Sequence, residues 1–183
     1  MQVKIWMLIG ASFCIALGCK SPEARSPVVH KSGHFLKQSI TRNKALQKAQ
    51  EDQIRALIAA DSLHTYHSSS EGFWYTYEKK QEEDSIFPQF GDIVTFDYDI
   101  STLDGKTIYA KEEIGKRQYT IDQEDLFIGM RKGLKLMKAH EVVTFLFPSF
   151  VAFGYYGDGE KIKSNVPIKS TVTLKSITKH KDL

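Results

Sequence analysis

The sequence offers few side chains that could carry out bond-breaking chemistry. His64 and His67 are three positions apart and could in principle hold a metal ion, but they occur in a Ser-rich, turn-like segment without a nearby third ligand. Asp97 and Asp99 alternate along a predicted strand and share one face, as paired general acid–base carboxylates could. Solvated surface accounts for both pairs more simply, because acid–base pairs need a pocket that shifts one pKa. We therefore expect a solvated turn and an exposed strand face.

The short motifs of common catalytic sites are absent from the sequence. It contains no H-E-x-x-H, C-x-x-C or G-x-S-x-G pattern. Residues 156–159, YGDG, lack the lysine and the strand–loop–helix context of a phosphate-binding loop, so we interpret them as a surface loop. The net charge is only +3, and basic residues alternate with acidic ones, which argues against nucleic-acid binding. The sequence therefore offers no nucleophile, no metal-ligand set and no phosphate loop, and a reaction that breaks no covalent bond could use the aromatic and aliphatic side chains that it has instead.

Aromatic side chains are the most distinctive feature of the sequence. The stretch 145–161, FLFPSFVAFGYYGDGEK, holds six rings before it reaches glycines and charges. Alternation from Val142 to Phe147 predicts a strand with Val143, Phe145 and Phe147 in the core, and Pro148 is expected to end it. The rings after Pro148 therefore have a different task from the rings before it.

The N-terminus predicts export and lipid anchoring. After the basic start MQVK, the fourteen residues IWMLIGASFCIALG carry no charge, which is typical of a signal-peptide core and short for a membrane span. Leu17-Gly18-Cys19 at its end resembles a bacterial lipobox, although Ala16 stands where leucine is usual. We predict a signal peptide over 1–18 and lipidation of Cys19; a plain secretory signal or an uncleaved anchor helix is the alternative. A mature chain would then keep a single cysteine and no disulfide.

Two N-terminal segments precede the main domain. Residues 20–38 are rich in Ser, Pro, Lys and His and predict a flexible tether that, with Cys19, spans 19–38. The segment 39–63 follows, in which Ser39 to about Ala60 has a helical composition. Its apolar stripe is thin, so packing on its own domain and a role as a dimerisation or stalk helix both remain open. The stripe consists of Leu46, Ala49, Ile54, Leu57 and Ile58.

The remaining pattern predicts an α+β domain. The spacing of Phe127, Met130, Leu134 and Met137 predicts one short helix, in which Gly129 and Gly133 indicate a close approach of another element. Strands are expected to be antiparallel around it, in a domain over 87–179 that follows a strand and charged loop at 72–86. The predicted strands lie within 73–80, 93–100, 106–110, 117–121, 142–147 and 170–177.

The order of these segments resembles the FKBP-type peptidyl-prolyl isomerases. The resemblance covers roughly the last ninety residues and rests on F-D-Y, L-D-G-K-T-I-Y, L-F-I-G-M-R-K-G-L-K-L-M, F-P-S-F-V-A-F-G and N-V-P-I-K-S-T-V-T-L. It implies a twisted antiparallel sheet wrapping a short helix, with the substrate site between them. With the lipobox and the preceding helix, the chain looks like the gliding-motility-associated isomerase lipoproteins of Bacteroidetes-type bacteria.

The resemblance also implies which residues form the site. The catalytic positions would be Tyr98, Ile108, Tyr109, Leu126, Phe127, Met130 and Phe153. Further substrate contacts would come from Val166, Leu174, Tyr155 and Tyr156, the last two in a loop over the pocket. Such a pocket, without any cofactor, would favour the twisted amide over the more polar planar one.

Several positions depart from the family pattern. Phe153 lacks the hydroxyl of the usual tyrosine, and Tyr109 replaces an aspartate, which is expected to remove a carboxylate from the pocket rim. Ile108 stands for phenylalanine, Met130 for tryptophan, and His140 for a glycine that would need a positive φ. These changes bear on the rate of catalysis more than on the fold.

The expected partners follow from this reading. They are proline-containing segments of exported or unfolded proteins, met by a lipid-anchored protein that faces the periplasm. The alternative is a catalytically weak proline-peptide binding or chaperone module with the same pocket, and a third reading is a structural stalk.

Overall fold

The computed structural model of the chain describes residues 32–82 and 86–180, and every contact reported below lies within 39–180. The predicted signal peptide, Cys19 and residues 20–31 of the predicted tether lie outside the described residues. The elements, in chain order, are α1 (Ser32–Ala60), β1 (His67–Ser68), β2 (Trp74–Lys79), β3 (Ile93–Tyr98), β4 (Ile100–Ser101), β5 (Thr107–Tyr109), α2 (Lys111–Ile114), β6 (Arg117–Thr120), α3 (Ile128–Leu134), β7 (Val142–Phe147), a 3-10 turn (Ser149–Val151) and β8 (Ile168–Thr178).

Helix α1 begins earlier than predicted. It starts at Ser32, inside the segment predicted to be a tether, and it ends at Ala60, where the helical composition of the segment 39–63 predicts its end. The composition of residues 20–38 misled the prediction because their prolines, Pro22 and Pro27, precede the helix. No glycine or proline occurs over 34–60, so a helix that has started can continue through this segment.

The strands form one antiparallel sheet, as predicted. Along it the order is β1-β2-β7-β8-β3-β6, and the short pair β4–β5 joins at β8. Strand β8 is the centre: it pairs with β7 over Val142–Phe147 on one side and with β3 on the other. Strands β1 and β2 precede the predicted domain boundary at residue 87, yet they belong to this same sheet.

The helix α3 lies against one face of the sheet, and its two glycines make the contact possible. A Cβ on Gly129 would stand 2.6 Å from the Phe147 ring, and a Cβ on Gly133 would stand 2.9 Å from the Phe145 ring. Met130 and Leu134, on the same helix, have no exposed surface. The prediction that something approaches bare backbone here is confirmed, since two rings of β7 press on the helix at that point.

The core pattern predicted for β7 is also confirmed. The strand spans Val142–Phe147, and Val143, Phe145 and Phe147 are buried. Just before it, His140 has φ of 68° and its backbone N–H donates to the Leu174 carbonyl oxygen over 2.7 Å. The positive φ predicted for this position is therefore present in a residue other than glycine.

Helix α1 covers part of the opposite face of the sheet. Ile54 has no exposed surface and packs with Leu146 of β7 and with Leu103, while Leu57 and Ile58 contact the same cluster. The thin apolar stripe is thus used within the domain, which was one of the two open alternatives. Over 32–82 and 86–180, none of the helices combines the length and apolar character that crossing a bilayer requires.

Candidate functional site

A turn after β7 carries the chain out of the core and positions Phe153. Strand β7 ends at Phe147, Pro148 follows, and the 3-10 turn begins at Ser149. The backbone N–H of Gly154, which has φ of 60°, donates to the Ser149 carbonyl oxygen over 2.8 Å and closes the turn. The predicted division of this stretch near Pro148 is confirmed, because Phe153 is half-buried beside a surface cleft while Phe145 and Phe147 are fully buried.

Two adjoining depressions share the side chains of Tyr98 and Phe153. One, of about 420 Å³, is lined also by Asp125, Leu126 and Phe127. The other, of about 380 Å³, is lined also by Ile100, Tyr109, Glu113, Ile114, Arg117 and Asp158. We call the two depressions together the aromatic cleft, since four of the side chains that line it are aromatic rings. The structure thus brings together Tyr98, Tyr109, Leu126, Phe127 and Phe153 of the predicted catalytic set.

Aromatic contacts fix the walls of the cleft. The ring of Phe127 packs on Phe153 with centroids 5.1 Å apart and stands edge-on to Phe147 at 5.4 Å, so it joins the cleft to the core. Tyr98 stacks on Phe96 at 5.5 Å. Geometry of this kind contributes beyond the buried area alone, at about 0.5–1.5 kcal/mol per pair. The walls are therefore held by the fold rather than by a ligand.

Six other predicted positions do not line the aromatic cleft. Met130 and Leu174 have no exposed surface and belong to the core beneath it, because α3 and β8 turn these side chains inward. Ile108 and Val166 line a separate depression of about 340 Å³. Tyr155 is 65% exposed and lines a groove against α1, while Tyr156 is 89% exposed. The prediction that Tyr155 overhangs the pocket is wrong, since the left-handed Gly154 directs the chain away after Phe153.

A carboxylate still lies at the rim of the cleft, although Tyr109 stands where the family pattern has an aspartate. The Oη of Tyr109 donates to Oδ2 of Asp158 over 2.5 Å, and Glu160 Oε2 lies 3.3 Å away. Lys161 places its Nζ 4.5 Å from the centre of the Tyr109 ring. The rim therefore keeps a negative charge, supplied by the loop that the sequence presented only as YGDG. The expectation of a lost rim carboxylate is wrong.

The loop holding Asp158 is built around that carboxylate. Oδ1 accepts hydrogen bonds from the backbone N–H of Glu160 at 2.9 Å and of Ile162 at 2.8 Å. Burial disfavours the charged form, but the Tyr109 hydroxyl and the two N–H groups outweigh it and hold the pKa of Asp158 below its usual 3.8. The same hydrogen bond, with a smaller effect of burial, raises the pKa of Tyr109 to about 12.

The lowered pKa makes the loop sensitive to acid. A carboxyl whose pKa falls on folding stabilises the folded state above its unfolded-state pKa, and this contribution is lost as pH falls through the folded-state pKa. We expect Asp158→Asn to lower Tm near pH 7, and the difference from the wild type to narrow as pH falls below about 4. Scanning calorimetry between pH 7 and pH 3 measures it, with the exposed Asp52→Asn as control. A Tm difference that does not change with pH would contradict this assignment.

The hydroxyl of Tyr98 stands differently from that of Tyr109. None of the described residues forms a hydrogen bond to it, and none of their buried side-chain polar atoms lacks a partner, so this hydroxyl reaches accessible surface. Tyr98 as a whole is only 8% exposed. Burial raises the pKa of Tyr98, opposed in part by the positive charge of Arg117, so the group stays a proton donor at neutral pH.

Sequence reasoning missed the polar rim of the cleft. Glu113 comes from the four-residue helix α2, which is too short to show a periodicity, and Arg117 begins β6. Asp158 lies in the segment that the sequence presents only as a surface loop. No sequence signal links it to the cleft, because Asp158 stands 49 positions after Tyr109.

The residues first considered for chemistry have structural partners instead. Asp97 pairs with Lys175 at 3.1 Å and Lys111 at 3.5 Å, and the Asp99 carboxylate accepts the Thr171 N–H, so neither lies on an open polar face as predicted. His64 lies between Asp61 and Glu78. Among the residues that the structure describes, no group of three or more His, Cys, Asp or Glu side chains is arranged to hold a metal ion.

The fold is of the α+β class. An antiparallel sheet packs against the short helix α3, and the aromatic cleft lies at the N-terminus of that helix. The sequence profile of the family described as FKBP-type peptidyl-prolyl cis-trans isomerase matches residues 84–175, about half of the chain. The chain belongs to this family. A curated relative, the probable FKBP-type peptidyl-prolyl cis-trans isomerase FkpA of Neisseria meningitidis serogroup B, is 27% identical over 143 residues, or 76% of this chain. The chain matches about half the length of that relative.

Two solved structures share the fold. The crystal structure of FkpA from Escherichia coli superimposes with a TM-score of 0.60 at 19% identity and covers 96% of this chain and 82% of its own. A peptidyl-prolyl cis-trans isomerase from Pseudomonas syringae pv. tomato gives a TM-score of 0.58 at 19% identity, over 74% of this chain and 96% of its own. The FKBP-like fold predicted from the sequence is confirmed.

Proposed function

We propose that this chain catalyses cis–trans isomerisation of peptidyl-prolyl bonds in exported proteins, while anchored to a membrane through a lipidated Cys19. The observation that carries the catalytic part is the aromatic cleft, in which Tyr98, Phe127 and Phe153 meet at the end of α3. Its apolar floor and walls suit a pyrrolidine ring. Membership of the isomerase family supports the same reaction.

The cleft favours the twisted amide because it excludes water. The barrier to rotation about the X–Pro bond is about 20 kcal/mol because amide resonance must be broken. The planar ground state is the more polar form, so a cleft with little water stabilises it less than it stabilises the twisted state. Rings of Phe127 and Phe153, packed on each other, hold the proline without any covalent step.

The Tyr98 hydroxyl supplies the directional contact in this proposal. Phe153 has no donor, and the Tyr109 hydroxyl already donates to Asp158, whereas the Tyr98 hydroxyl has no protein partner within the described residues. A substrate carbonyl in the cleft would accept its proton. This bond would bind and position the amide in both the planar and the twisted state; it would not itself favour the rotation, because the twisted carbonyl is the less polar one.

The contribution of this hydroxyl is testable by removing one atom. Tyr98→Phe is expected to lower kcat/KM roughly 2–10-fold, which is the value of one neutral hydrogen bond. The ring and its stack on Phe96 remain. Tyr119→Phe is the matched control, because that hydroxyl contacts the Asp122 N–H and does not line the cleft. Equal activity of Tyr98→Phe and wild type would remove Tyr98 from the mechanism.

A second candidate is a proline-peptide binding or chaperone module with weak catalysis. The observation that favours it is the absence of a hydroxyl on Phe153, together with the engagement of the Tyr109 hydroxyl by Asp158. Such a module would bind X–Pro peptides at the aromatic cleft without accelerating isomerisation. Measuring both binding and rate on one peptide separates the two candidates.

The anchoring part of the proposal rests on the sequence alone. An uncharged h-region followed by Leu17-Gly18-Cys19 supports diacylglyceryl attachment at Cys19, on the periplasmic side. More than one acyl chain would give stable membrane attachment, whereas a single chain is marginal. Together with the preceding helix and the isomerase domain, these features support the narrower placement among the gliding-motility-associated isomerase lipoproteins.

Lipidation is tested by expressing the full chain in a bacterium fed labelled palmitate. The wild type is expected to incorporate label and to sediment with membranes, and Cys19→Ser is expected to lose the label. Cys14→Ser, inside the predicted signal peptide, is the matched control and should retain it. Absence of label on the wild type, with export intact, would favour a plain secretory signal instead.

A further inference from the structure

One buried amide of α1 contacts both ends of the loop that borders the aromatic cleft. Gln50 is 5% exposed, and its Oε1 accepts from the Ser149 backbone N–H at 2.9 Å and from the Ser149 hydroxyl at 3.0 Å. Its Nε2 donates to the Asn165 carbonyl oxygen over 2.8 Å. The amide orientation is fixed by chemistry, because a backbone N–H can only donate and a carbonyl oxygen can only accept.

These contacts complete a closed ring of hydrogen bonds. Gly154 N–H donates to the Ser149 carbonyl oxygen at 2.8 Å, and Asn165 N–H donates to the Gly154 carbonyl oxygen at 2.8 Å. Gln50 then links Asn165 back to Ser149. The four residues lie on three separate stretches of chain, and Gln50 is the member contributed by α1. Removing its side chain opens the ring and leaves the buried Ser149 N–H and the partly buried Asn165 carbonyl without these partners.

The ring stands next to the groups that form the cleft. Phe153 precedes Gly154, so the position of its ring depends on the backbone that the Ser149–Gly154 bond holds. Asp158 lies in the loop 155–164, which connects Gly154 to Asn165. Phe153 and Asp158 therefore both lie in the segment 149–165, whose first and last residues are hydrogen-bonded to Gln50.

We propose that Gln50 is a positioning residue for the cleft, and that α1 is therefore part of the catalytic unit rather than an appendage to it. Gln50 lies outside the 84–175 segment that matches the family. Loss of the ring would let the loop sample positions in which Phe153 leaves the cleft, and the apparent activity falls with the fraction of competent protein. The inference rests on the proposed isomerase function.

The test compares two buried positions one turn apart on α1 in the full-length chain, purified in detergent. Gln50→Leu removes the hydrogen bonds at similar side-chain volume. Ile54→Val shortens a side chain that packs with Leu103 and Leu146 and not on the loop. We expect Gln50→Leu to lower kcat/KM roughly tenfold at a temperature where both variants are folded. Ile54→Val is expected to lower Tm while kcat/KM stays within about twofold of wild type.

Amide hydrogen exchange gives the readout that a purely structural role would not move. In Gln50→Leu the amides of Gly154 and Asn165 should lose protection, while amides of β7 and β8 keep theirs. Unchanged kcat/KM, or protection lost uniformly across the sheet, would overturn the inference. If the wild type proves inactive, the proposed function fails, and exchange at Gly154 and Asn165 still decides whether Gln50 holds the loop: selective loss supports the positioning role and unchanged protection overturns it.

Discussion

Replacing Phe127 by alanine is expected to lower kcat/KM for X–Pro isomerisation by roughly 10–100-fold, while the protein stays folded. Phe127 forms one wall of the aromatic cleft and supports another, because its ring packs on Phe153 at 5.1 Å. Truncation removes apolar surface that would hold the proline ring, admits water and leaves Phe153 without its neighbour. The half-buried position limits the cost in stability.

The control for this prediction is a phenylalanine of the same size that lies away from the cleft. Phe90 is 67% exposed and does not line the aromatic cleft, so Phe90→Ala should retain the wild-type kcat/KM. A refolding-limited assay with a proline-dependent slow phase gives the rates for all three proteins. Should Phe127→Ala remain as active as Phe90→Ala, the reaction takes place elsewhere.

Replacing Phe147 by alanine is expected to lower the free energy of unfolding by about 3–5 kcal/mol. This ring has no exposed surface and stacks on Phe145 with centroids 5.4 Å apart, at 9° between planes. It also contacts Phe73 at 5.3 Å and Phe127 at 5.4 Å, and it fills the space above Gly129. The cavity left by its removal lies between the sheet and α3.

Urea unfolding followed by fluorescence measures this loss, and the exposed Phe90→Ala again provides the comparison, with a change expected below about 0.5 kcal/mol. A loss of this size is a large share of the free energy of unfolding of a protein of ordinary stability. A loss below about 1 kcal/mol would mean that Phe147 does not occupy the contact between β7 and α3 described above.

Local patterns were sufficient to predict the longer strands and the short helix, but not β1, whose residues His67 and Ser68 lie in the segment expected to be a solvated turn. Alternation marked β7 at its observed bounds, and the spacing of Phe127, Met130, Leu134 and Met137 marked α3 because both elements bury one regular face. The two glycines of α3 also signalled the contact with Phe145 and Phe147 in advance. Short-range periodicity therefore predicted the elements of an α+β domain, whereas the aromatic residues of the site followed from the resemblance to the FKBP-type family.

The polar half of the site could not be read in this way. Asp158 reaches Tyr109 from 49 positions further along the chain, and Gln50 reaches Ser149 from 99 positions before it. No periodicity links such pairs, because each depends on where segments far apart in the sequence meet in the folded domain. The position of Tyr155 could not be predicted from periodicity either. It follows Gly154, whose φ is positive, and it lines the groove against α1.

The resulting site is more apolar than the family pattern and keeps its charges at the rim. Tyr109 and Asp158 are hydrogen-bonded to each other, Lys161 lies over the Tyr109 ring, and the Tyr98 hydroxyl has no hydrogen-bond partner among the described residues. Positioning from α1 through Gln50 would then matter more, because catalysis by exclusion of water depends on close walls.

The most direct test of this account is a protease-coupled isomerisation assay on a soluble form that begins at Lys20, using an X–Pro peptide. The account predicts a cis-to-trans rate constant that rises linearly with protein concentration above the uncatalysed value, and a slope that falls at least tenfold in Phe127→Ala. A rate equal to that in buffer at micromolar protein, with the peptide still bound, would contradict it and leave a proline-peptide binding module.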